Sequence, residues 1–328
     1  MNRILLTLCT VCLCAGGLTA RAAALQRADV IANPGWLLHL DCDALRPTAA
    51  GRFILSQMDQ PEVKARLAAL QIIVGFDLHT NVHGVTLYGD TPAPRDAVLI
   101  IYGDFDPDRL TLLAKAANQY QSSTYNGRVI HSWVNTNRQH QVADGSRVYA
   151  AIAAGKVVTG RNLDKIDQAL DAIDGGASSL AASHAFPGLG LPGNGHFIEA
   201  AARKMDSTIA APAAAIWQLS KALQLVVGET NQQFQCALTL DANDADAAGQ
   251  MFSIAQGLVA VMKMQSNNPD AVQLANALDI TQNGSQILGR LVLPASDVAD
   301  LMQARAARMA AVRAARAQNT PPAGSGQQ

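Results

Sequence analysis

Val85-Thr86-Leu87-Tyr88-Gly89-Asp90-Thr91, then Ala97-Val98-Leu99-Ile100-Ile101-Tyr102, then Asp104-Phe105-Asp106-Pro107-Asp108 and, further on, Asn126-Gly127 running into Arg128–Trp133: this stretch decides the fold. Two apolar runs of strand length are joined by a Pro-containing loop and followed by an Asp-rich helix start. Asp106 is in place to cap that helix, with Pro107 at its first position, where a missing N–H costs nothing. Leu110, Leu112, Leu113, Ala116 and Ala117 supply its apolar side. Asn126-Gly127 marks a tight turn into the next strand.

A fainter copy of the module begins at Leu223. It carries Gly228-Glu229-Thr230, then Cys236–Asp241, then Asn243–Asp246, a long helical stretch and Asn283-Gly284. Upstream of each copy lies a glycine-led strand, Gly35 before Trp36–Asp41 and Gly195 before His196–Ala200. The expected fold class is therefore α+β: two tandem strand-helix-strand-strand-helix-strand repeats, mainly antiparallel sheets with helices on one face. The boundaries expected are 25–174 for the first repeat and 195–295 for the second. A Gly/Ala/Ser/Pro-rich linker spans 175–194, an Arg/Ala helix 296–317 and a disordered tail 318–328.

Residues 1–24 read as a secretory signal peptide. Arg3 is followed by the apolar run Ile4–Leu13, the break Gly16-Gly17 and the small-x-small site Ala20-Arg21-Ala22. The run is too short for a comfortable membrane span, so no span is expected in the mature chain. Leu13 precedes Cys14, where a lipid-attachment site wants a small residue. The expected location is periplasmic or extracellular, without lipid. Only Cys42 and Cys236 remain after processing, and both read as small buried thiols, with a disulfide as the alternative.

The 328 residues carry a net charge of −1, which excludes a nucleic-acid binder driven by phosphate contacts. Setting aside 1–24 and 304–328 leaves 19 basic against 26 acidic residues. The basic excess is thus at the ends, with Arg305, Arg308, Arg313 and Arg316 on one side of the last helix as candidate partner contacts. A solvated helix is the plainer reading.

Several motifs have spacings that suggest chemistry. Gly188-x-Gly190-x-x-Gly193 has dinucleotide spacing, but a composition break precedes it and a strand follows, where phosphate binding needs a strand before and a helix after. No cofactor is expected. Asp104, Asp106 and Asp108 resemble the start of a calcium loop, yet Arg109 and Lys115 stand where such a loop needs glycine and a bidentate glutamate. Asn243, Asp244 and Asp246 occupy the equivalent helix start, so capping is the favoured role and a cation site the lesser one. His39, Asp41, Asp43 and His131 are the candidates for a hydrolytic site assembled from distant residues. Their plain readings are satisfied strand histidines and a solvated strand end. No nucleophile elbow is present.

The run Val148–Ile152, Ala154-Gly155 and Val157–Gly160, with the amphipathic helix behind it, resembles parts of secreted bacterial proteins grouped as domains of unknown function. That resemblance implies fold and export and carries no activity. The function expected is a non-catalytic binding or structural module of the cell envelope whose partner is a protein or small ligand. A carrier holding an apolar ligand between sheet and helices is the first alternative, and the hydrolase the second.

Overall fold

The computed structural model describes residues 23–135, 147–191, 195–203 and 213–318. The signal-peptide assignment, apart from Ala23-Ala24, and residues 319–328 of the tail lie outside them.

Within the described residues, twelve strands form a single antiparallel sheet. In chain order they are β1 (Trp36–Asp41), β2 (Val82–Gly89), β3 (Val98–Gly103), β4 (Gln121–Tyr125), β5 (Arg128–Val134), β6 (Arg147–Ala153), β7 (Lys156–Gly160), β8 (His196–Arg203), β9 (Ser220–Thr230), β10 (Gln233–Ala242), β11 (Leu278–Asn283) and β12 (Gln286–Pro294). Their order in space is β11-β12-β10-β9-β8-β1-β2-β3-β7-β6-β5-β4. The helices are α1 (Cys42–Leu45), α2 (Ala49–Met58), α3 (Pro61–Val74), α4 (Leu78–Asn81), α5 (Pro107–Lys115), α6 (Leu163–Ile173), α7 (Ala213–Leu219), α8 (Ala245–Met264), α9 (Pro269–Ala277) and α10 (Ala295–Gln318).

The α+β class and the large antiparallel sheet agree with the sequence reading. The six-element repeat does not emerge as written. The first half inserts an extra hairpin, and the second holds a strand that its pattern did not announce. The two strands missed are β4 and β11, which are the two edges of the sheet. An edge strand buries little, so its sequence need not alternate or run apolar. Gln121-Ser122-Ser123-Thr124 is exposed throughout, and four of the six residues of β11 are exposed.

Successive residues along a strand face opposite sides, and the register sorts the core accordingly. Ile100, Val158, Ala151 and Ile130 point to one side, where α6 lays down Ile166, Ala169 and Leu170. These recur at helical spacing from the Asn162 cap, whose side chain accepts the Asp164 N–H. Burying Ile166 or Leu170 contributes about 2 kcal/mol each. On the other side, α7 and α8 cover Leu240, Ala242 and Ile287 through Ile216, Leu219, Ala248 and Met251. Helix α5 lies on that second side too, against Ile101, Val157 and Ile152. Helices thus pack mainly to one side, and α6 covers the first half on the other.

The N-terminal segment and the Gly/Ala/Ser/Pro-rich stretch also cover the α6 side. Leu180, Phe186 and Leu189 are buried there. Arg27 donates to five carbonyls, those of Leu180, Ser183, Ala185, Phe186 and Leu189, at 2.8–3.5 Å. Gly190 (φ 71°) sits against the Arg27 stem, where a Cβ would come within 3.0 Å of two of its carbons. Its N–H is held by the buried Glu199 carboxylate. Residues 180–190 form a strap fixed at both ends of its backbone.

Candidate functional site

The chemistry-bearing residues fall in separate places. His39 and Asp41 share the α6 side of β1. His39 is 1% exposed. Its Nδ1 is 2.9 Å from the Thr86 hydroxyl and its Nε2 is 2.9 Å from the Ala23 carbonyl, so the neutral ring with its proton on Nε2 satisfies both contacts. Burial pushes its pKa down to about 4, opposed by the Ala23 hydrogen bond. Asp41 accepts the Ala44 N–H at 2.8 Å, capping α1, and burial raises its pKa. His131 is on β5, five strands from β1, facing the opposite side; its Nδ1 is 3.0 Å from the Tyr120 hydroxyl. Its pKa is lowered by burial and by the Lys115 charge. The structure therefore brings His39 and Asp41 together and leaves His131 roughly 24 Å away across the sheet, at about 4.8 Å per strand.

Asp43, Asp104 and His83 do meet. His83 is 3% exposed and lies at a register shift in β2. Its Nδ1 is 3.0 Å from Asp43 Oδ2, and its Nε2 is 3.1 Å from Asp104 Oδ2. Asp43 also receives Arg46, whose guanidinium reaches the carbonyls of His79 and Val82. Asp106 caps α5, accepting from the N–H groups of Asp108 and Arg109. The three aspartates of the calcium-like pattern thus take different roles, and Asp108 is exposed. Among the described residues, no group of three or more His, Cys, Asp or Glu side chains is placed to hold a metal ion. Cys42 and Cys236 are both free, each with its pKa raised by burial. Arg308 pairs with Asp270 at 2.9 Å and Arg305 is exposed, whereas the side chains of Arg313 and Arg316 lie outside the described residues.

The most ligand-like feature is a cleft of about 420 Å³ between α5 and the sheet. Its floor is Ile101, Val157, Ile152, Ala150 and Trp133, the residues that alternate with the α6-side core. Leu110, Leu113, Ala114 and Ala117 form the helical wall, and Phe76, Leu78, Val82 and Phe105 the end. The Phe76 and Phe105 rings lie 4.9 Å apart at 58°. Thr159 is the one hydroxyl in the lining, and it donates to the Tyr149 carbonyl at 2.9 Å. Among the described residues, no charged side chain lines the cleft.

Local sequence positions this wall. Gly75 ends α3 at φ 85°, a conformation glycine adopts without cost. Arg109 of α5 packs across Gly75 and donates to the last α3 carbonyls, at Ile72 and Ile73. That contact ties α3 to α5 and holds the Phe76 segment at the cleft. Gly103 is equally constrained, since a Cβ there would lie 2.3 Å from the Asn81 carbonyl oxygen. Sequence reasoning missed the cleft because its lining is drawn from separate elements. The one available signal was the double use of β3, β6 and β7, apolar at both odd and even positions.

No protein-family model and no curated protein matches the chain. Solved structures of a bacterial protein, TP0453, are similar at low identity. Crystal form III is 10% identical, covering 86% of this chain and 99% of that one with a TM-score of 0.48. Crystal form IV is 10% identical, covering 85% and 96% with a TM-score of 0.42. Crystal form I is 9% identical, covering 86% and 98% with a TM-score of 0.39. No activity transfers with these matches. Among the described residues, no helix is long and apolar enough to cross a membrane.

Proposed function

We propose that this is an exported, non-catalytic binding protein of the cell envelope that holds a small apolar ligand between α5 and the sheet. The observation that carries the reading is the cleft itself: about 420 Å³, walled by aliphatic and aromatic side chains and, among the described residues, without a charge in its lining. Cavities of this size and character are where proteins take up small apolar molecules. A cleft of such lining repels ions, because nothing in it offsets their desolvation. Export rests on the pattern of residues 1–24. The separation of His39 and Asp41 from His131 argues against a hydrolytic site built from them.

The test is organic extraction and mass spectrometry of protein purified from its native envelope. The expected result is one apolar species at near-stoichiometric yield. An empty protein that also fails to bind a neutral apolar probe saturably would overturn the reading.

A further inference from the structure

We propose a second ligand site, on the opposite side of the sheet from the apolar cleft. It is a polar pocket that takes a small zwitterion of the α-amino acid class, with the ligand carboxylate on Arg203 and Lys221 and its ammonium on Asp241. The pocket measures about 730 Å³ and lies between the 180–190 strap and strands β8, β9 and β10. It stands independently of the ligand reading for the cleft beneath α5.

Strand register builds the pocket. Arg203 of β8 and Asp241 of β10 are both Cα partners of Ala222 in β9. The three form one row across the sheet, a cation and an anion on either side of a methyl group. Residues in one such row share a face, and all three line the pocket. Two interstrand steps, of about 5.5 Å and 4.5 Å, set the outer Cα atoms about 10 Å apart. Two charge-assisted hydrogen bonds of about 2.8 Å each leave about 4 Å of that span for the ligand. The carboxylate and ammonium of one α-amino acid bridge a gap of that order, and any longer side chain at Ala222 would fill it.

A β-bulge delivers the second cation. Asp241 pairs with Ala222 and Ala242 with Ser220, so Lys221 has no partner on β10. Consecutive strand residues ordinarily face opposite sides, yet Lys221 and Ala222 both line the pocket. A bulge re-aims a side chain in this way.

The strap fixes Arg203. Phe186 stands at φ 49°, a left-handed conformation that is unfavourable for a residue with a Cβ. Its carbonyl accepts from Arg27 at 2.8 Å. The Arg203 guanidinium lies over its buried ring, 5.4 Å from the centroid, and Nη2 donates to Asn33 Oδ1 at 3.3 Å. The guanidinium is therefore oriented in the empty pocket. Among the described residues, no carboxylate pairs with Arg203 or Lys221, and no cation pairs with Asp241, whose Oδ1 accepts the Gln286 side chain at 2.9 Å. Backbone strain that serves to place a cation at an open pocket is a mark of a binding site. A simple anion would meet Asp241 and a simple cation would meet two positive charges, whereas a zwitterion answers all three groups.

The experiment is equilibrium dialysis of the mature chain against an equimolar mixture of the protein L-amino acids, with amino-acid analysis of the retained fraction. At least one amino acid is expected to be retained at one equivalent per chain. Its deaminated and decarboxylated analogues, tested singly, are each expected to bind at least roughly tenfold more weakly, the loss that goes with one charge-assisted hydrogen bond. Lys221→Gln and Asp241→Asn are expected to weaken retention by a similar factor, and Ala150→Phe, in the apolar cleft, to leave it unchanged. Retention of no amino acid would overturn the site, as would retention that survives both Lys221→Gln and Asp241→Asn. Equal binding of the deaminated analogue would make the pocket a plain anion site and overturn the zwitterion assignment.

Discussion

Acidifying the protein from about pH 8 to about pH 5 should destabilise it through His39 by roughly 2 kcal/mol. The ring is 1% exposed, and burial lowers its pKa from 6.5 to about 4. A base whose folded pKa is depressed binds its proton more readily in the unfolded chain. Its contribution is therefore whole above pH 6.5 and is lost as pH falls from there towards about 4. At about pH 5 the unfolded chain is nearly all protonated at this site and the folded chain mostly not, which sets the figure above. The ring is also held by the Thr86 hydroxyl, 2.9 Å from its Nδ1. The assay is urea unfolding across this pH range for wild type and for His39→Gln, which keeps polar atoms without the titration. His131 and His196 also have lowered pKa values, from burial, and contribute equally to both proteins. The difference between the two curves isolates His39. Equal loss of stability on acidification in wild type and His39→Gln would refute the reasoning.

Three further predictions follow from named contacts. Arg27→Ala should cost about 3 kcal/mol, since it strips the strap carbonyls of their donors; Arg27→Lys should recover little, because an ammonium cannot reach five carbonyls at once, and urea midpoints check both. Gly51→Ala should prevent native folding, as a Cβ there would lie 1.9 Å from the Leu45 carbonyl oxygen; a native circular-dichroism spectrum with an unchanged melting temperature would contradict it. Ala150→Phe should fill the cleft floor and lower affinity for a neutral apolar probe more than tenfold, equivalent to about 1.4 kcal/mol, while leaving the His39-dependent acid sensitivity in place.

The elements with strong local chemistry were legible in the sequence. Pro107 behind the Asp106 cap, Asn162 before the 3.6-period of α6 and the Asn126-Gly127 turn each mark a boundary by a mechanism that acts within a few residues. The edge strands were not legible, because β4 and β11 have little to bury. The strap at 180–190 hid behind a composition that usually signals a spacer. What orders it is Arg27, some 153–162 residues away in the chain. At the site, Asp104 and Asp43 stood out as acidic residues, but their partner did not. His83 reaches them only because a register shift in β2 places it between α1 and the α5 loop. A cleft assembled from α3 to β7 leaves no contiguous motif to find.

The most direct test of a ligand site under α5 is an equilibrium titration of N-phenyl-1-naphthylamine into the mature chain, beside the Ala150→Phe variant. One saturable site in wild type, abolished by the substitution without loss of fold, is the predicted result; linear, non-saturating binding that is the same in both proteins would contradict it.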